Sequence, residues 1–267
     1  MMTFFSKSIQ SIAMILILLV IFSGCANNGT ATVTPDPKLL RVGVSPDAPP
    51  LIFKQDDEIV GLEADLAAAL AQHLGKELVL VERSWDELIP SLTDNQIDII
   101  MSGMSFTLAR QQVIAFSKPY FKSGLMILVK DLHKYAFITS PETVMAQSVT
   151  WRIGVVKNTT GEIFVRQRST GARSVRSFSS QKEALNALLG GRIDVFVHDA
   201  PMILRMAGQY QAEGVKPLPV VLNEELLAWG MRKTDPDLID SVNAFIDQAK
   251  SDQTLRKTTQ RWIPLAK

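Results

Sequence analysis

One pattern in this chain occurs twice. The segment SWDELIPSLTDNQIDII (84–100) aligns without a gap to SQKEALNALLGGRIDVF (180–196), and RVGV (41–44) is echoed by RIGV (152–155). In both longer copies a serine stands three residues before a glutamate, Ser84 and Glu87 or Ser180 and Glu183, which is the spacing of a helix-starting capping box. A short helix should then run into Ile-Asp and an apolar strand. The simplest fold for such a chain is two similar α/β lobes, with RVGV and RIGV marking their first strands. Pro90 falls in the second turn of the first copy only, so that helix should be shortened or bent.

The intervening segments support the same plan. GLEADLAAALAQHLG spaces Leu62, Leu66, Leu70 and Leu74 four apart before Gly75, an amphipathic helix with a glycine stop. ELVLVE and IDIIMSG read as strands on either side of the Trp85 helix, so the sheet should be largely parallel. GLMILVKD reads as a strand crossing between lobes. The tail from LLAWGMRK through DLIDSVNAFIDQAK, with Leu238, Val242, Phe245 and Ile246 at helical spacing, should return to complete the first lobe. The expected division is residues 39–128 with 224–267 for lobe 1 and 129–223 for lobe 2, joined by two hinge strands. At 46% hydrophobic content the chain can bury two such cores.

Residues 1–24 read as a signal peptide. Lys7 precedes an apolar run, 12–22, that is too short for a bilayer, which takes ~20 residues. The run ends in Phe22-Ser23-Gly24-Cys25, which resembles the lipobox of bacterial lipoproteins, with Phe22 where leucine is usual. Lipidation would account for a solitary cysteine, Cys25, in an exported chain. Residues 25–38 then form a polar, proline-containing tether.

Formal net charge is +1, so no global field draws the chain to nucleic acid, and charge recognition must be local. Three strand ends are unusually polar, and ligands in open α/β sheets sit at such ends. The first carries Ser102, Ser105 and Arg110; the second carries Thr159, Thr160 and Glu162; the third ends in His198 and Asp199. Each has a plain structural reading: the threonines or Asp199 cap helices, and Arg110 is solvated. Together they supply a guanidinium and a helix N-terminus for an anion, and a carboxylate for a cation. That set suits a zwitterion such as a free amino acid. His73, His133 and His198 are scattered, so no metal-ligand spacing exists, and neither a metal nor a cofactor is expected.

RVGVSPDAPPLIF, GLEADLA, SWDELIPSLTDNQIDIIMSGMSFTLAR, AFSKPYF, GVVKNTTGE and GGRIDVFVHD, in this order, resemble the family-3 extracellular solute-binding proteins, the periplasmic amino-acid receptors of ABC importers. The resemblance runs from Leu40 to Pro264. It implies a type II periplasmic-binding-protein (Venus-flytrap) fold, each lobe a mixed, mostly parallel sheet flanked by helices. It also implies that Arg110 takes the ligand α-carboxylate with help from Ser105, Thr159 and Thr160. The Ser102 backbone and Asp199 take the α-ammonium, and Trp85 stacks on the side chain. Read from the residues alone, Trp85 belongs equally well to the core. Ala48 and Leu51 stand where the family often has aromatics, and Ser45 stands where members that bind basic amino acids often have an acid, a lack that Asp47 partly offsets. The ligand is therefore expected to be polar or uncharged.

The resemblance implies a monomeric, lipid-anchored receptor at a bacterial membrane or in the periplasm, partnered by a permease. Closure of two lobes on the ligand would be its mechanism. An enzyme of the cyclohexadienyl or arogenate dehydratase kind, on the same fold, is the alternative. Glu162 and His198 would then be its acid/base candidates.

Overall fold

The computed structural model describes residues 36–130 and 132–264. The expected signal peptide, Cys25 and the expected tether as far as residue 35 lie outside the described residues, as does Asp131.

Each copy of the repeated pattern builds one five-stranded mixed sheet. In the first, the strands run in the order Glu77–Glu82, Leu39–Val44, Ile99–Ile100, Gly230–Met231, Ala115–Phe116. The first three are parallel, and the last two pairings are antiparallel. The second sheet repeats this plan with Ser174–Phe178, Arg152–Val156 and Val195–Asp199 parallel, then Leu125–Val129 and Lys216–Pro217 antiparallel. The result is an α/β molecule with two sheet-containing lobes.

The echo in sequence has a physical cause. Arg41 donates through Nε and Nη2 to Asp98 at 3.1 and 2.6 Å, and its backbone N–H donates to the same carboxylate at 2.9 Å. Arg152 does the same to Asp194 at 3.0, 2.7 and 2.8 Å. Each pair ties the first strand of its lobe to the residue that leads into the third. Two residues past each arginine is a glycine. A Cβ at Gly43 would collide with Ile97, and one at Gly154 with Ile193, so the RxG and Ile-Asp pieces of the repeat fit one another.

The helices follow their caps. Ser84 and Glu87 form the expected capping box, and the helix begins as a 3-10 turn, Trp85–Glu87, before the short α-helix Leu88–Thr93. Pro90, lacking an N–H, lies inside it and the helix is indeed short. In the second copy Ser180 accepts from the Glu183 N–H, but the Glu183 carboxylate takes the Ser179 N–H instead. Leu62, Leu66 and Leu70 are buried on one face of Leu62–His73. The tail packs back on that helix, where Trp262 Nε1 donates to Asp65 at 2.7 Å and Arg261 pairs with it at 3.0 Å.

Two expectations need adjustment. Leu125–Val129 is not the crossing strand: its five residues are all buried and it is hydrogen-bonded on both sides within the second sheet. The crossing is made one step earlier, by Phe121–Ser123 paired antiparallel with Glu225–Leu227. Hydrophobicity identified the strand, but its apolar character reflects a central place in a sheet, not a hinge. Similarly, IDIIMSG forms a strand only at Ile99–Ile100, because Ser102 and Gly103 turn out of the sheet.

Candidate functional site

The three polar strand ends converge on one cleft between the lobes. Ser45, Asp47, Trp85, Ser102, Ser105 and Arg110 line it from the first lobe, facing Thr159, Thr160, His198 and Asp199 from the second. Every residue singled out for ligand binding therefore borders the same space.

Arg110 is not a solvated charge. Its Nη1 donates to the Ser105 carbonyl at 2.8 Å and its Nη2 to the Asn158 carbonyl at 3.1 Å, while the guanidinium lies 5.3 Å from the centre of the Trp85 ring. Three of its five N–H donors remain uncommitted by these bonds. Burial pulls its pKa below the ordinary value and the carboxylates of Asp199 and Glu225 oppose that; a guanidinium stays charged regardless. Trp85 reconciles its two readings. It is half-buried against the cluster of Leu88, Leu92, Ile97 and Ile100, yet it also borders the cleft.

Asp199 precedes the helix Ala200–Gln209, but its side chain makes no capping bond. One carboxylate oxygen, Oδ2, lies 3.0 Å from His198 Nδ1, which accepts the Asp199 N–H at 2.7 Å. The other, Oδ1, is buried and has no hydrogen-bond partner among the described residues. A buried acceptor left unpaired costs about 1–3 kcal/mol, so this oxygen is poised for a donor from outside the chain. His198 itself is buried edge-on to Phe196 and borders the cleft.

The hydroxyls are more occupied than sequence suggested. Thr159 does cap its helix: Oγ1 donates to the Val156 carbonyl at 2.7 Å and accepts the Glu162 N–H at 3.4 Å. Ser102 Oγ accepts the Ser45 N–H at 2.9 Å. Ser105 and Thr160 both donate to Glu225 Oε2, at 2.6 and 3.0 Å. Ser102 keeps its own O–H to donate, whereas Thr159, Ser105 and Thr160 have spent theirs and can offer an anion only backbone N–H, with Arg110 supplying the charge.

Two carboxylates escaped the sequence reading. Glu225, on the crossing strand, joins Ser105 of one lobe to Thr160 of the other; burial and the nearby Asp199 carboxylate raise its pKa. The signal was an acid at the head of the apolar segment ELLAWGM. Glu63 is fully buried beneath the loop that carries Ser102 and Ser105. It accepts from the Gly103 N–H at 2.6 Å, Trp229 Nε1 at 2.9 Å and the Tyr120 hydroxyl, and burial raises its pKa. Asp47 keeps a solvent-reachable edge, but the cleft wall around it raises its pKa by burial, with His198 and Ser45 opposing.

Glu162, the acid proposed for an enzyme, does not border the cleft. Its carboxylate is committed to Arg166, Ser177 and the Asn158 N–H. Burial pushes its pKa upward, but these bonds prevail and hold it below the ordinary glutamate value.

Two α/β lobes, joined by a double crossing and enclosing a polar cleft between strand ends, define a type II periplasmic binding protein. The chain belongs to the bacterial extracellular solute-binding proteins, family 3, whose model matches residues 40–265. It is 28% identical to the histidine-binding periplasmic protein of Salmonella typhimurium, over 95% of this chain and 97% of that one. The L-cystine-binding protein of Escherichia coli is 27% identical over 89% and 87% of the two chains. Among solved structures, an ancestral amino acid-binding protein described as a precursor of cyclohexadienyl dehydratase is 34% identical. Its TM-score is 0.75, over 84% of this chain and 95% of that one.

Proposed function

We propose that this protein is an extracytoplasmic receptor that binds a free amino acid by closure of its lobes and delivers it to an ABC importer. One observation carries the reading. Arg110, with donors to spare, and Asp199, with a buried oxygen lacking a hydrogen-bond partner among the described residues, border one cleft from opposite lobes. Opposite charges on opposite lobes suit the two ends of one zwitterion, and a ligand that reaches both favours the closed form over the open one.

In this reading Arg110 takes the α-carboxylate, aided by backbone N–H groups near Ser105, Thr159 and Thr160. Asp199 and the Ser102 carbonyl take the α-ammonium. Trp85 packs on the side chain and Asp47 accepts from it, which suits a polar or uncharged ligand. Relatives named for histidine and cystine binding support an amino acid as the ligand. Both halves of the site come from one chain, so a monomer suffices. A lipid on Cys25 would hold it at the membrane, and the family's extracellular role supports a periplasmic or surface location. The dehydratase alternative lacks an acid in the cleft at Glu162, whose carboxylate is already paired.

A thermal-shift panel of the twenty amino acids tests the proposal. A ligand at a hundredfold excess over its Kd should stabilise by about 2.7 kcal/mol. No shift with any amino acid would remove the reading's main support, and turnover of prephenate would replace it with the enzyme.

A further inference from the structure

We propose that Asn158 and Asp86 form a clasp across the cleft mouth that favours the closed arrangement and holds Arg110 and Trp85 in place, whatever the ligand. The inference rests on the reading above that the lobes open and close.

Asn158 stands between the second lobe's first strand and the helix Thr160–Arg168, with φ at 59°. That left-handed conformation is costly for most side chains, but asparagine tolerates it. Its own N–H is anchored in its lobe, donating to Glu162 at 2.8 Å, and Glu162 is in turn held by Arg166. Its backbone carbonyl and its side-chain N–H group go to the opposite lobe. The carbonyl accepts from Trp85 Nε1 at 3.2 Å and from Arg110 Nη2 at 3.1 Å, while Nδ2 donates to Asp86 Oδ1 at 2.7 Å. Lys157 adds a looser ion pair to the same aspartate at 3.8 Å.

These bonds use protein groups only, so they can form solely when the lobes meet, and they contribute equally for every ligand. Each lies at the surface and replaces bonds to water, so each is a modest term. Their effect is on the closed fraction. Apparent affinity scales with that fraction, so loss of the clasp should weaken all ligands by one factor without reordering them. A residue that touches the ligand side chain would reorder them. Two of the partners, Arg110 and Trp85, line the binding cleft, so the clasp also sets where those side chains sit.

Lobe separation in the ligand-free protein tests this independently of ligand identity. Spin labels on cysteines introduced at exposed Gln72 and Lys182, in the full chain with Cys25→Ser, report it by double electron–electron resonance. Asn158→Gly keeps the left-handed backbone and the carbonyl but removes the amide. Asp86→Ala removes its acceptor, and Asp86→Asn restores an acceptor oxygen. The closed-to-open ratio should fall about three- to tenfold in Asn158→Gly and in Asp86→Ala. The double variant should be no worse than Asp86→Ala, and Asp86→Asn should lie near the parent.

An unchanged ratio in both single variants overturns the clasp, as does a double variant in which the two losses multiply. If the ratio falls but no amino acid binds, the clasp stands and the receptor reading fails. If amino acids bind and the ratio is unchanged, the reverse holds.

Discussion

Arg110 reaches from one lobe to the other, donating to the Asn158 carbonyl at 3.1 Å. The same guanidinium is fixed at its near side by the Ser105 carbonyl at 2.8 Å. Both partners are neutral, so its positive charge is not cancelled by direct pairing, and its remaining N–H groups can meet a carboxylate. Arg110→Ala should lower amino-acid affinity by at least about a hundredfold in calorimetric titration. The melting temperature should move little, because the two hydrogen bonds and the Trp85 ring contact that are lost are offset by removing a desolvated charge. Arg110→Lys should recover part of the affinity, keeping the charge without the fork.

Asp199 and Glu225 raise a pH dependence of binding. The Glu225 pKa is raised by burial and by the Asp199 carboxylate. An ammonium placed on Asp199 offsets that negative charge and lowers the Glu225 pKa, so binding should release a proton. Affinity should therefore rise as pH increases through the range in which Glu225 titrates and level off above it. Titrations in buffers of different ionisation enthalpy check the proton count. Glu225→Gln should flatten the profile; an equally steep profile in that variant would assign the proton elsewhere.

The repeated pair makes a stability prediction. Burial pushes the Asp98 pKa upward, but hydrogen bonds and charge from Arg41 and Arg232 hold it below its ordinary 3.8. A pKa lowered in the folded state means stability that is full above the unfolded value and lost as pH falls through the folded one. Asp98→Ala should cost about 3 kcal/mol at neutral pH, since it leaves Arg41 half-buried without its partner. Denaturant melts at pH 7 and pH 3 should show the gap between parent and variant closing at the lower pH. Asp194→Ala should behave alike in direction, with a smaller loss because Arg152 is more exposed.

Glu63 has the opposite sign. Its pKa is raised by burial, so its contribution is greatest below the ordinary 4.5 and is lost as pH rises through the folded value. Three donors nevertheless depend on it, from Gly103, Tyr120 and Trp229. Glu63→Ala should cost about 3 kcal/mol or more by leaving them unsatisfied. It should also weaken ligand binding, because Gly103 lies within the loop that carries Ser102 and Ser105. Glu63→Gln should fall between, keeping one acceptor oxygen and removing the pH dependence.

Much of this molecule was determined by sequence acting locally. Capping boxes, helical leucine spacing and strand-forming runs depend on near neighbours, so the duplicated RVGV and Ile-Asp segments already implied two α/β lobes. The polar strand ends also drew attention to Arg110 and Asp199, because each lobe's parallel strands carry their loops to one edge of its own sheet; that the two edges face one cleft was decided by the placement of the lobes. Tertiary structure decided what separation along the chain concealed. Leu125–Val129 reads as a crossing strand until its partners in the second sheet are known. Ser105 and Thr160 look like free hydroxyls until Glu225, far along the chain, takes both. Asn158 is one polar loop residue among several until the lobes meet and Trp85, Asp86 and Arg110 become its partners. Hydrogen bonds are short-ranged and directional, so a donor's partner is fixed only when the two lobes and the strands between them are placed in space.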